Sequence, residues 1–311
     1  MRGARTDFLS TAPVAAAGAA LVLLVVAAWP IAALARAIAA SDLINLVQAD
    51  SDVRAAFAWS VWQAAAASAF GVIFGLASAY SWARLQYPGR TLLRGLAVAP
   101  IAIPSVVLAS GVQALFSEGT PASDLVSIVG FNPIRFQQGT GAVIVAHSLM
   151  ATASVGWIAS VAWASVDARK VDAARTLGAG RLRAARVAVW PAVWPAAAAG
   201  AGLAFLQATL SYGVVAILAE DHETPEGLAV RLAITGDSRA YTVAALTCVY
   251  SILCGLIIIQ FLRRPVDDPQ RTRPRQRPRG LDRVAASVSA VPAAVIVGAT
   301  TALLLRSIDS G

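Results

Sequence analysis

The sequence predicts an all-α, polytopic membrane protein, and three observations carry that prediction. The first is composition: 58% of the 311 residues are hydrophobic and 14% are charged, with a mean hydropathy of +0.67, whereas a soluble domain carries about a quarter charged residues. The second is clustering. Apolar runs of roughly 20 residues, long enough to cross a bilayer as helix, alternate with short segments holding nearly all 25 Lys+Arg and 17 Asp+Glu. The third is that these segments are basic and acidic by turns. A water-soluble enzyme is excluded. The net charge of +8 belongs to loops rather than to a basic face on a soluble fold, so no nucleic-acid partner is expected.

Seven stretches reach spanning length: 14–38, 55–82, 92–116, 141–166, 192–218, 241–262 and 284–305. The first follows Arg2 and Arg5 and exceeds the ~7 to 15 apolar residues of a signal peptide, so it reads as a retained span. The second contains Gly71 and Gly75 in a G-x-x-x-G spacing, which lets helices pack closely. Pro100 and Pro104 in the third and Pro195 in the fifth predict kinks, tolerated where neighbours satisfy the freed backbone groups. In the sixth, Cys248 and Cys254 lie six apart and fit no C-x-x-C metal or redox pattern; they are expected to pack as small hydrophobes. Residues 263–283, RRPVDDPQRTRPRQRPRGLDR, are rich in Pro and Arg and predict a solvated linker. The last span, like the first, is an Ala/Val/Leu run closing on an arginine, which either composition or a repeat would produce.

Charge then orients the chain. With the N-terminus inside, the inner segments hold 19 basic residues against 6 outside, and 11 of the 17 acids fall outside. Lys/Arg bias sets topology, so the N-terminus is expected in the cytoplasm. Trp82, Trp163, Trp190 and Trp194 at the inner helix ends, with Trp29, Trp59 and Trp62 near the outer ends, match an aromatic belt.

The inner loop 166–195 is long. Val171, Ala174 and Leu177 recur at helical spacing beside Arg169, Lys170, Asp172 and Arg175, which predicts a short amphipathic helix. Gly178 suits the left-handed residue that ends it, and a second helical stretch is expected from Arg181 until Pro191. Over these residues the chain resembles the membrane subunits of binding-protein-dependent type I ABC importers. Their signature is E-A-A, three residues, G, nine residues, I, one residue, L-P; here it reads Asp172-Ala173-Ala174, Gly178, then Ala188, Val189, Trp190 and Pro191. Asp replaces Glu, Ala replaces Ile and Trp replaces Leu.

That resemblance covers roughly 55–262 and implies the family's transmembrane fold, about six core helices with the seventh span added. It implies that 167–190 is a coupling loop on a cytoplasmic ATPase subunit. Asp172 would be its polar contact, Ala173 and Ala174 would permit close approach, Leu177 would anchor, Gly178 would turn, and Arg175 and Pro191 would complete the segment. Further implied partners are an extracytoplasmic solute-binding protein and a second permease half, identical or different. The organisation is then an N-terminal span and outer loop (1–54), a permease core (55–262), the basic linker (263–283) and an extra span with a short tail (284–311). Double-length permeases exist in this family, so a split or truncated one is a further expectation.

The chain itself offers no ATP site, because a P-loop places a lysine before Ser or Thr and Lys170, the sole lysine, precedes Val171. ATP and Mg would sit on the partner, with no cofactor or metal on this chain. His147 and His222 are the two histidines, and no H-E-x-x-H or G-x-S-x-G occurs. Polar groups within spans are candidates for a pathway: His147, Ser148, Gln207, Thr209, Ser211 and Tyr212, with interhelical hydrogen bonding as the competing role. The stretch after the fifth span resembles thiamine and ferric-iron permeases, more distantly those for sulfate and molybdate, and the cargo expected is thiamine or ferric iron, with inorganic oxyanions as the alternative. A gradient-driven carrier is the competing class, but no acid lies mid-span to couple it.

Overall fold

The computed structural model describes residues 49–262 and 274–309, with isolated positions between 17 and 32. The first predicted span therefore lies almost wholly outside the described residues. The described residues are helical, with no strand beyond one isolated bridge. Among the described residues, five helices are long and apolar enough to cross a membrane: α1 (Ser51–Arg84), α6 (Thr140–Ala164), the run Arg181–Thr209, α12 (Arg239–Leu262) and α13 (Leu281–Asp309).

A sixth crossing is broken. Helices α2 (Arg90–Val98) and α3 (Ser105–Leu115) are joined through a 3-10 turn, Ala99–Ile101, and bent by 114°. The predicted kink in 92–116 is thus a break sharper than a right angle. Its cause is the proline pair: Pro100 removes a donor within the turn and Pro104 forces Ile103 and itself out of the helix before α3 begins. Pro195, by contrast, sits inside its helix without a break.

Side-chain register shows that this bent pair crosses. Gln63 meets His147, and Gly71 and Gly75 meet Ala151 and Val155, so α1 and α6 run parallel. Residues 85–139 must therefore return to the starting side. Gln63 reaches Ala208 while Ser68 reaches Ala201, so the next span runs antiparallel. Asp50 pairs with Arg239 and Phe57 packs on Tyr250, which makes α12 parallel to α1. Chain ends alternate, leaving 84–90, 165–190 and 274–281 on one side. That side gathers the arginines.

The core forms where α1, α6 and α9 (Trp190–Thr209) converge. A Cβ on Gly71 would overlap Ala151, one on Gly75 would lie 2.7 Å from Val155 Cβ, and one on Gly200 would lie 2.8 Å from Val155 Cα. These glycines admit a backbone approach that any side chain would block. Ala79, Val155, Ala159, Val193 and Ala197 fill the seam. Helix α13 packs against α1, α2 and α3, with Ser289 donating to Ser81 at 3.0 Å.

Smaller helices complete the opposite side: α4 (Pro121–Ile128), α5 (Ile134–Gln137) and α11 (Pro225–Ile234). The basic stretch after 262 departs from a freely solvated linker over its described part. Gln276 accepts from Gln86 N and donates to Arg84 O, both at 2.9 Å, which pins it beside the end of α1. Cys248 is exposed rather than packed and Cys254 is half-buried; both are free thiols.

Candidate functional site

Two groups of predicted residues are brought together, at different depths. The first lies on the arginine-rich side. Helix α7 (Ala168–Thr176) starts at Asp167, whose carboxylate accepts from Arg169 N at 2.9 Å, a standard N-cap. It ends at Gly178, which takes φ +83, with Gly178 N donating to Arg175 O and Ala179 N to Ala174 O, both at 3.0 Å. Glycine is favoured there because a Cβ strains that backbone.

Helix α8 (Arg181–Ala184) then passes through a π-turn, Ala185–Val189, directly into α9. The second helical stretch therefore does not stop at Pro191. That proline follows the π-turn, whose wider i-to-i+5 spacing lets Trp190 N bond to Ala185 O. Val166, Val171 and Ala184 are buried together, with Ala174 and Ala188 packed on them. This cluster clamps the α7–α8 hairpin to the bundle.

The hairpin's outer face is the reverse. Asp172, Ala173 and Arg175 are exposed, while Leu177 is 88% and Leu182 80% exposed. Two of the three residues of the predicted stripe thus face the protein, and the third, Leu177, faces away from it.

The second group is a polar seam inside the bundle. Gln63, fully buried, donates from Nε2 to Ala208 O at 2.9 Å, which turns its Oε1 toward His147 Nδ1 at 2.8 Å. A carbonyl oxygen only accepts, so His147 carries its proton on Nδ1. Its Nε2 is then a buried acceptor without a partner among the described residues, as are the hydroxyls of Ser60, Ser148 and Ser211 and the Oε1 of Gln207.

Thr209 is buried and spends its hydroxyl on Phe205 O and Leu206 O of its own helix. Tyr212 is exposed. Of the six predicted polar residues, His147 and Thr209 are buried, Ser148, Gln207 and Ser211 are half-buried with enclosed polar atoms, and Tyr212 faces outward. Gln63 was missed in the sequence, although a glutamine in mid-span is itself a signal.

The spans meet at their breaks. The fifth predicted span, 192–218, is interrupted: α9 ends at Thr209 and α10 (Tyr212–Leu218) begins after Ser211. A Cβ on Gly213 would lie 2.5 Å from Ser105 Oγ, so this break abuts the N-terminus of α3. Irregular backbone at membrane depth persists only where protein or a water-filled cavity covers it.

A family model described as the binding-protein-dependent transport system inner membrane component matches residues 71–268, which takes in the hairpin and the polar seam apart from Ser60 and Gln63. The chain belongs to this family. Among curated relatives, the sulfate transport system permease protein of Salmonella typhimurium is 30% identical over 56% of this chain and 61% of that protein. The thiamine transport system permease protein of Brucella abortus is 24% identical over 51% of this chain and 30% of its own length. This chain therefore spans less than two thirds of either. The molybdenum transport system permease protein of Escherichia coli is 27% identical over 63% of this chain and 86% of its length. A chain in the crystal structure of a bacterial alginate ABC transporter, solved with an alginate-bound periplasmic protein, superposes with a TM-score of 0.64 at 16% identity. It covers 83% of this chain and 96% of that one. The fold is that of an ABC importer permease.

Proposed function

We propose that this permease subunit carries a small solute through the membrane of a bacterial cell, driven by a separate ATPase that docks on the α7–α8 hairpin. The observation that carries the reading is the division of that hairpin's faces. Val171 and Ala174 hold it to the bundle while Leu177, Asp172 and Ala173 are exposed on its outer side. A rigidly held helix with an exposed apolar anchor transmits force from a partner better than a loose loop. ATP and Mg belong to that partner, a solute-binding protein delivers cargo on the acidic side, and a second permease half completes the pathway. Nucleotide biases the two access states. The arginine-rich side is then the cytoplasmic one.

Sulfate or molybdate is the cargo class we place first. The molybdenum permease aligns over most of its length, and no carboxylate lies between 55 and 82, 141 and 164, 192 and 209, or 241 and 262 to meet a cation. Within the seam, the hydroxyls of Ser60, Ser148 and Ser211 can donate to an oxyanion. Thiamine or ferric iron, the expectation from the sequence, is the second reading, and the Brucella relative supports thiamine.

The test is co-purification of the native complex followed by ATPase assays in proteoliposomes. Asp172→Arg and Gly178→Pro should leave the chain inserted and abolish solute-stimulated hydrolysis, and normal coupling in both would sink the docking role. Uptake of radiolabelled sulfate, molybdate and thiamine then decides the cargo.

A further inference from the structure

A cavity of about 910 Å³ opens between the α7–α8 hairpin and the stretch 276–282. Five arginines line it: Arg84 from the end of α1, Arg175 and Arg181 from the hairpin, Arg277 and Arg279 from the linker. The one carboxylate in its lining, Asp282, is already engaged. Tyr80 Oη donates to its Oδ1 at 2.7 Å, and Gln276 Nε2 donates to its Oδ2 at 3.4 Å. Among the described residues, no carboxylate forms an ion pair with Arg175, Arg181, Arg277 or Arg279.

Two features separate this cavity from a general excess of positive charge. The linker docks against its own electrostatics, since it brings Arg277 and Arg279 up to the hairpin arginines and Arg275 into range of Arg90 and Arg94. Backbone pairing at Gln276 and the Tyr80–Asp282 hydrogen bond hold it there, while like charges oppose them. The cavity also draws guanidinium groups from three separate stretches of chain onto one space backed by Val166, Val189 and Trp163. Guanidinium forks match tetrahedral oxyanions, and an apolar backing strengthens the pairing.

We propose that this cavity binds a phosphate-type oxyanion, which neutralises its arginines and fastens the linker to the α7–α8 hairpin. The group has two sources at a membrane surface, free inorganic phosphate and the headgroup of an anionic phospholipid. Either would tie the start of α13 to the hairpin. The assignment does not depend on the cargo or on ATPase docking.

Tryptic cleavage at Arg279–Gly280 reads the site directly, because Arg279 is both a ligand and the scissile residue. The purified full chain is digested in neutral detergent with phosphate or with chloride at matched ionic strength. It is also digested in nanodiscs of phosphatidylcholine, alone or in equal parts with phosphatidylglycerol, and the fragment is followed by mass spectrometry. An occupant at about ten times its Kd slows cleavage roughly tenfold.

Protection by phosphate in detergent identifies the free ion, and protection by phosphatidylglycerol alone identifies the headgroup. The paired change Arg175→Gln with Arg181→Gln, on the opposite wall, should abolish protection without changing the unprotected rate, and Arg175→Lys with Arg181→Lys should keep part of it. Arg277→Gln gives an independent loss from the linker wall should the hairpin variant fold poorly. Absence of protection in both media, or equal protection in the hairpin and Arg277→Gln variants, overturns the proposal.

Discussion

His147 Nδ1 and Gln63 Oε1 lie 2.8 Å apart across 84 positions of sequence, and the same glutamine ties α1 to Ala208 of α9. One buried side chain thus joins three spans. Gln63→Leu removes both bonds and leaves His147 Nδ1–H and Ala208 O unpaired. Interhelical hydrogen bonds in membranes average about 0.6 kcal/mol, with a maximum near 1.7. Loss of about 1–2 kcal/mol in detergent unfolding is expected for Gln63→Leu, with His147→Ala costing less after Gln63→Leu than in the parent. Strict additivity would show that the two residues do not act together.

The glycine seam predicts a size threshold. Gly71→Ala places a methyl onto Ala151 Cβ, with Ala151 backbone carbon also only 2.9 Å away, so α1 and α6 must separate. Overpacking of this kind costs about 1–3 kcal/mol. Ala151→Gly removes only the nearer of those atoms, so it should rescue Gly71→Ala in part. Complete rescue, read from thermal unfolding of the double variant, would place the clash in side chains alone.

The hairpin's two faces should respond oppositely. Val171→Ser puts a hydroxyl into the cluster with Val166 and Ala184 and is expected to destabilise by about 1–3 kcal/mol. Leu177→Ser, at a site 88% exposed, should stay within about 0.5 kcal/mol and yet weaken capture of the ATPase. Unfolding midpoints and pull-down of the partner, measured on both variants, separate the two effects.

On the other side of the bundle, Arg239 reaches Asp50 at 2.6 Å and Asp237 at 2.7 Å. Burial raises the Asp50 carboxyl, but the Val53 N–H, the Arg239 guanidinium and the Asp52 N–H outweigh it and hold the group below the usual carboxylate range. Asp237 is lowered chiefly by its hydrogen bond from Arg239. Folded values below the unfolded ones mean that this stabilisation is complete above the unfolded pKa, about 3.9, and fades as pH falls through the folded values. The double variant Asp50→Asn with Asp237→Asn should be less stable than the parent at about pH 6 and converge with it as acid protonates both carboxylates of the parent. Stability curves of constant separation across that titration would show that the clamp contributes no charge.

Much of the fold was readable in the order of residues because a bilayer imposes a simple rule. Every spanning segment must satisfy its own backbone, so length and hydropathy locate helices without reference to neighbours. Residues 55–82, 141–166 and 241–262 became helices close to those limits. The turn at Gly178 followed from local chemistry as well, since a left-handed backbone favours the residue without a Cβ.

Tertiary structure decided what depends on partners far away in sequence. Pro100, Pro104, Pro191 and Pro195 look alike in the chain, yet the first pair breaks a span by 114° and the second pair is absorbed. Pro100 lies in a 3-10 turn and Pro104 just before α3, whereas Pro191 follows a π-turn and Pro195 lies within α9, placements that spacing alone does not distinguish. Gln63 became the hub of a polar seam only because α6 and α9 bring His147 and Ala208 to it. The linker arginines, read alone as a solvated charge run, gain a shared cavity because Gln276 is pinned beside Arg84. Hydropathy and turn chemistry are local properties that the sequence states by itself. Which buried group finds a partner, and which cations must share one space, are non-local, and only the packed bundle sets them.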